Sequence, residues 1–151
     1  MPVYAAEFNR TLSTTASVGS FGASSGTQAR RLKLLFLHFG TESAPADQAL
    51  NLECHRYTAA GTSTAVTPSP IDLADPAMLG VAGENHTVEP TYTAGLSMLS
   101  LSTHQRVPIV YYAPPGAEIT VPATNAAGLG FQTDTISSGT PTASMIVHVL
   151  E

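Results

Sequence analysis

The residues best suited to nucleophilic chemistry form the pentapeptide Gly22-Ala23-Ser24-Ser25-Gly26, which matches the pattern G-x-S-x-G. In hydrolases this pattern works because a strand before it and a helix after it hold the serine on a strained turn. Here the preceding residues are a Ser/Gly-rich segment, and the following run Arg30–Gly40 predicts a strand. We interpret the match as a product of local composition and expect no catalytic residue.

The histidines are the other candidates for metal binding or acid–base chemistry. A metal site on a β-sandwich needs two histidines close together on one strand, with a carboxylate or cysteine near them. The five histidines instead occupy separate segments: His38, His55, His86, His104 and His148. The carboxylates Asp72 and Asp75 are interpreted as turn and cap residues. The sequence therefore predicts no metal, no cofactor and no enzymatic activity.

An aromatic platform for sugars is a further possibility that the composition restricts. The chain has no tryptophan and only 7% aromatic residues. Such a platform would have to use tyrosines, of which the candidates are Tyr57, Tyr92, Tyr111 and Tyr112. Packing in a core or an interface is the more frequent use of a tyrosine.

The charge content excludes other classes of partner. Only 11% of the residues are charged, against about 25% in an average soluble domain. The net charge of −5 argues against a nucleic-acid partner, since phosphate binding needs excess Lys and Arg. No apolar run approaches the ~20 residues of a membrane helix, so we expect no membrane partner. With one cysteine, Cys54, and no recognisable secretory signal, we expect synthesis in a host cytoplasm.

The elements that must position these residues are short strands, and Arg30–Gly40 is the most apolar of them. Simple alternation places Leu32, Leu34 and Phe36 on one face and Leu35, Leu37 and Phe39 on the other. Because both faces are apolar, one face can fill the core and the other must be covered by something else.

The terminal strand, Ala143–Glu151, is also apolar on both faces, with Ile146, His148 and Leu150 opposite Met145 and its neighbours. The extra faces of the two strands form our candidate subunit interface: Leu35, Leu37, Phe39, Ile146, His148 and Leu150. Histidines at such a boundary would make assembly sensitive to pH.

The remaining pattern predicts an all-β fold. Leu50, Leu52 and Cys54 alternate with polar residues, which indicates a strand with one buried face. Asp75, Pro76 and Gly80 predict one short connector helix. Turn residues recur between the short strands, so we expect a jelly-roll sandwich of about eight antiparallel strands.

Two stretches carry a resemblance to a known class of proteins. The first is Ala60–Ala77, and the second runs from Tyr112 through Pro115–Pro122 to Gly128–Phe131. Their order and spacing resemble tailed-phage structural proteins of the decoration or cement type. The resemblance covers about residues 31–151 and rests on turn and strand signatures. It implies a jelly-roll, tumour-necrosis-factor-like fold that assembles as a homotrimer on the outside of a capsid.

The resemblance also implies a division of the chain and a function. Residues 31–151 would form the jelly-roll domain, and residues 1–30 an N-terminal arm with a flexible Ser/Gly-rich segment. Val3, Tyr4 and Phe8 would be the capsid-contacting anchors of that arm. We expect a non-enzymatic virion protein whose partners are its own copies and the major capsid protein. The alternative is a carbohydrate- or receptor-binding head of a fibre or spike.

Overall fold

Twelve antiparallel strands form within the part of the chain that the structure describes. The computed structural model describes residues 1–24 and 28–151. The strands are β1 (Val3–Thr11), β2 (Ala16–Gly22), β3 (Leu32–Ser43), β4 (Ala49–Ala59), β5 (Thr62–Val66), β6 (Ser69–Pro70), β7 (Val81–Val88), β8 (Thr91–His104), β9 (Ile109–Tyr112), β10 (Ile119–Val121), β11 (Gly128–Thr133) and β12 (Thr142–Leu150).

The strands form two packed sheets. Sheet A has the order β10-β3-β12-β1-β6, with β9 also paired to β3, and sheet B has the order β5-β7-β2-β11-β4-β8. The chain passes from one sheet to the other between β1 and β2, β2 and β3, and β3 and β4, and does so again from β10 to β12. The prediction of an all-β jelly-roll sandwich is therefore confirmed. Strands β5 and β7 extend one edge of sheet B, and β6 extends one edge of sheet A.

The predicted connector helix is wrong. At the predicted position the Asp75 amide donates to the Asp72 carbonyl at 3.0 Å, and the Asp72 carboxylate accepts from the Ala74 amide at 2.9 Å. These bonds make a turn, and no helix occurs in residues 1–24 or 28–151. Leu73 is 93% exposed and Leu79 45%, so the segment buries little apolar surface to offset the cost of helix nucleation.

The predicted N-terminal arm is also wrong, because residues 1–24 supply one strand to each sheet. Residues 25–27 of the predicted flexible segment lie outside the described residues. Strand β1 lies between β12 and β6, and all of β2 is buried. Tyr4 and Phe8 are fully buried in the core and Val3 is half-buried. None of the three is a free anchor for a capsid. The physical reason is the alternation of β1, which turns Tyr4, Ala6 and Phe8 inward.

Small residues in the N-terminal part make room for large rings. Phe8 meets Phe21 edge-on, with ring centroids 5.3 Å apart and an interplanar angle of 86°. A Cβ at Gly19 would overlap the Phe8 ring. The small residue at position 19 is thus a packing requirement of the core.

Candidate functional site

The outer face of sheet A carries a cluster of aromatic and apolar side chains on three neighbouring strands. Phe36 of β3 lies between His148 of β12 and Tyr112 of β9 in the sheet register. The Phe36 ring centroid is 4.8 Å from that of His148 and 5.0 Å from that of Tyr112. We call this cluster the aromatic face, and its members are Phe36, His38, Val110, Tyr112, Ile146 and His148.

The aromatic face is open to solvent. Tyr112 is 71% exposed, Val110 48% and Ile146 37%. His38 lies opposite both Ile146 and Val110 in the register, so it connects the two exposed aliphatic side chains. A contiguous exposed group of this kind is typical of an interaction surface, in contrast to isolated apolar residues, which are common on any protein.

Charged residues border the aromatic face. Glu7 lies opposite Ile146 on β1 and is exposed. Lys33, on the other side, pairs with Glu118 at 3.5 Å. An apolar centre with a charged rim is the usual arrangement of a protein–protein interface.

Desolvation by the surrounding sheet lowers the pKa of His148 from its usual value of 6.5. The neutral ring is therefore favoured at neutral pH, which suits its packing against Phe36. A neutral histidine adds apolar area to the aromatic face, whereas a protonated one would add an unpaired charge to it.

The outer face of sheet B carries more hydrogen-bonded polar side chains, although His55 also packs against Tyr92 there, with ring centroids 5.2 Å apart. His55 Nε2 lies 2.9 Å from a Glu53 carboxylate oxygen. The hydroxyls of Ser100 and Ser102 each donate to the Asn51 amide oxygen at 3.2 Å. These polar side chains satisfy one another and are suited to water. The two outer faces of the sandwich thus differ, and the aromatic face is the one suited to being covered.

The structure separates the predicted interface residues into two groups. Ile146, His148 and Leu150 lie on the outer side of β12, with Ile146 exposed and the other two half-buried. Leu37 and Phe39 are fully buried in the chain's own core. Their assignment to a subunit interface is therefore wrong.

The reason is a β-bulge in β3. His148 pairs with Phe36, while the next residue of β12, Val149, pairs with Leu34. Leu35 is the extra residue of the bulge and is half-buried. Beyond the bulge the alternation is inverted, so Leu37 faces the core and Phe36 faces outward. A run of apolar residues contains no local pattern that reveals such an insertion.

Four members of the aromatic face were not among the predicted interface residues: Phe36, His38, Val110 and Tyr112. The alternation of β9 is the sequence pattern that could have identified two of them, because it places Val110 and Tyr112 on the same side of the strand. Phe36 could not be identified in this way, because the bulge at Leu35 reverses the alternation of β3.

A serine–histidine pair is present in the interior. Ser20 Oγ lies 3.0 Å from His86 Nε2, and the two residues are 3% and 4% exposed. His86 Nδ1 is buried without a hydrogen-bond partner, so the third group that orients the base in a catalytic triad is missing. Burial lowers the pKa of His86. The pair has neither the orientation nor the access that nucleophilic catalysis needs.

The other chemical candidates remain dispersed. No three His, Cys, Asp or Glu side chains come together as a metal site within the described ranges. The Ser/Gly-rich segment before the Gly22–Gly26 match forms strand β2, although its composition is typical of a loop. Ser25 and Gly26 lie outside the described residues. No helix follows among residues 28–31, since β3 begins at Leu32.

Two of the candidate tyrosines are packing residues. Tyr57 is 2% exposed, and a Cβ at Gly128 would overlap its ring. Tyr92 lies over Gly130 in the same way, and its hydroxyl bonds to Ser17. Tyr111 is half-buried, which leaves Tyr112 as the strongly exposed member of the set.

No helix among the described residues has the length and apolar character needed to cross a membrane. No protein-family model matches the chain, and neither a curated protein nor a solved structure is similar enough to be matched to it.

Proposed function

We propose that this chain is a non-enzymatic structural protein that forms a homotrimer through the aromatic face and coats the outside of a virus capsid. The observation that carries the proposal is the exposed cluster around Phe36, Tyr112 and Ile146 on a protein with few charges. The capsid as partner rests on the resemblance of residues 31–151 to phage decoration proteins.

The aromatic face has the features of an interface centre. Tyrosine is among the residues most enriched at binding hot spots, and Tyr112 is largely exposed in the single chain. Obligate interfaces between identical subunits are large and apolar. A threefold arrangement allows the apolar outer faces of three copies to approach one axis while their polar B sheets stay in water.

Coating a capsid stabilises it by mass action. A protein that binds the assembled shell but not its free subunits adds RT ln(1 + [L]/Kd) of free energy per site. At a concentration 100 times Kd this term is about 2.7 kcal/mol per site. The function needs no catalytic residue, and it is consistent with the inaccessible Ser20–His86 pair.

The test of trimer formation is sedimentation equilibrium of the full chain at micromolar concentration. We expect a trimer for the unchanged chain and monomers for the double variant Tyr112→Ser, Ile146→Ser. The matched control is Leu73→Ser, which removes a 93% exposed apolar side chain from a loop outside the aromatic face and should leave the trimer intact. A monomeric unchanged chain contradicts the proposal.

The capsid step has its own test. Empty shells assembled from the major capsid protein of the same genome are mixed with the chain and sedimented. We expect the chain to pellet with the shells and to raise their thermal disruption temperature. A trimer that stays in the supernatant at concentrations far above those used for assembly contradicts the capsid role alone.

A further inference from the structure

Strand β8 is the long open edge of the sandwich. It spans 14 residues and, among the described residues, is outermost in sheet B with β4 as its one paired neighbour. The other edge strands are short: β5 has five residues, β9 four, β10 three and β6 two. Short edges resist pairing with other chains, whereas a long one presents a row of free backbone groups.

Strand β8 also lacks the residues that usually protect an edge. Residues 91–103 contain no Asp, Glu, Lys, Arg or Pro. Natural proteins place such residues on exposed edges because charge and proline prevent the addition of a further strand. The pairing of β8 with β4 shifts register three times between Thr91 and Leu99 and is regular from Leu99 to His104. Because bulges also protect an edge, this regular part is the one able to accept a further strand.

The hydrogen bonds of β4 show which backbone groups of β8 are free. The Asp134 amide donates to the Asn51 carbonyl at 3.3 Å, so the backbone of Asn51 faces β11. The Gln105 amide donates to the Gln48 carbonyl at 2.9 Å, so the backbone of Gln48 faces β8. These directions alternate along an antiparallel strand.

By this alternation the backbone groups of Leu99 and Leu101 bond to β4, opposite Cys54 and Leu52. The backbone N–H and C=O groups of Ser100 and Ser102 therefore point away from β4, out of the sheet edge. The side chains of Leu99 and Leu101 face the core with Cys54 and Leu52, yet they stay only half-buried. No strand of residues 1–24 or 28–151 lies beyond them in the sheet.

We propose that β8 pairs antiparallel with β8 of a second copy, across a twofold axis centred on Ser100. In this register the Ser100 residues of the two copies lie opposite each other. Leu99 of each copy then lies opposite Leu101 of the other copy, on the core side of the sheet. Directly opposed apolar pairs of this kind stabilise a sheet. An axis at Leu101 would instead set each Leu99 against Thr103, so the axis at Ser100 covers more apolar surface. The two B sheets then form one continuous sheet.

The contact is suited to joining neighbouring trimers on a shell, a step that rests on the proposed function. One strand pair buries far less than the ~1,000 Å² expected of a stable independent interface. It is therefore weak between free molecules. Copies held side by side on a surface meet at high effective concentration, and the same contact then links them.

The test is a disulfide trap in the full chain. Ser100→Cys places two thiols opposite each other at a strand pair, where Cα atoms lie about 5.5 Å apart, within the range that a disulfide bridges. Ser102→Cys is the matched control because Ser102 is equally exposed and makes the same bond to Asn51. Two Ser102 residues would lie about 14 Å apart, four residues along the strands.

Under mild oxidation we expect the Ser100→Cys chain to give about tenfold more crosslinked dimer than Ser102→Cys, because only its thiols are within bonding range. Equal yields, or a crosslink found only on mixing the two variants, overturn the proposed register. Sedimentation under reducing conditions reports the trimer separately. A trimer without the Ser100 crosslink overturns the edge pairing alone, and a crosslink in a monomeric protein overturns the proposed trimer alone.

Discussion

Truncation of Phe8 to alanine tests whether the first strand belongs to the core or is a detachable arm. Phe8 is fully buried and meets Phe21 edge-on at 5.3 Å. Removing a buried phenylalanine side chain costs about 3–5 kcal/mol, through lost transfer free energy and the cavity that is left. We expect Phe8→Ala to lower the free energy of unfolding by about 4 kcal/mol, against the ~5–15 kcal/mol that holds a typical domain folded.

A double-mutant cycle makes the test specific to the packing at Gly19. A Cβ at Gly19 would overlap the Phe8 ring, so Gly19→Ala overpacks the core and should cost about 1–3 kcal/mol. In the Phe8→Ala chain the added methyl group enters the space left by the ring and should cost little. The cycle should therefore return a coupling energy of about 1–3 kcal/mol.

Urea unfolding followed by circular dichroism, at one protein concentration for all variants, measures these differences, since association shifts apparent stability. The control is Leu73→Ala, which truncates a 93% exposed side chain and should change the free energy of unfolding by less than about 0.5 kcal/mol. If Phe8→Ala were as stable as the control, or if the cycle were additive, the placement of β1 in the core would be refuted.

Three other substitutions or conditions have defined outcomes. Gly130→Ala forces a Cβ into the Tyr92 ring and should cost about 1–3 kcal/mol in urea unfolding, a loss that should largely disappear in a Tyr92→Ala background. Desolvation lowers the pKa of His148 from 6.5, so below about pH 6.5 the unfolded chain binds a proton that the folded chain resists, and stability falls with acidification. His148→Phe should show a smaller fall than the unchanged chain between about pH 7 and 5.5, and an equal fall would contradict this assignment. Burial raises the pKa of the Cys54 thiol to about 12, so a maleimide should leave the native chain unlabelled near pH 8 and label it fully in urea.

The fold class could be predicted because it depends on patterns that are local. The alternation of Leu50, Leu52 and Cys54 predicts their inward side, and all three are buried. The outward side of Ile146 and His148 follows from the same rule. Turn residues between short strands then leave a sandwich as the compact solution.

Other features depend on contacts distant in sequence, which a local pattern does not contain. The bulge at Leu35 inverts the faces of Leu37 and Phe39, and its place is set by pairing with β12. The Ser/Gly-rich composition of β2 is typical of loops, yet Gly19 is small because Phe8 lies against it. The Asp72–Asp75 segment has the residues of a helix start without a core surface to pack on.

The pairing of β1 with β12 has a consequence for how the protein is made. Val3 lies opposite Leu150 and Thr11 opposite Thr142, so the central hydrogen bonds of sheet A join the first strand to the last. During translation β1 emerges from the ribosome long before β12 has been synthesised. Until then Tyr4 and Phe8 of the nascent chain lack part of the core that buries them in the folded protein. The ladder that connects β1 to β3 through β12 forms only after residues 142–150 have emerged. Chains cut short before that point lack the strand that joins β1 to β3, and are expected to be targets of chaperones and proteases.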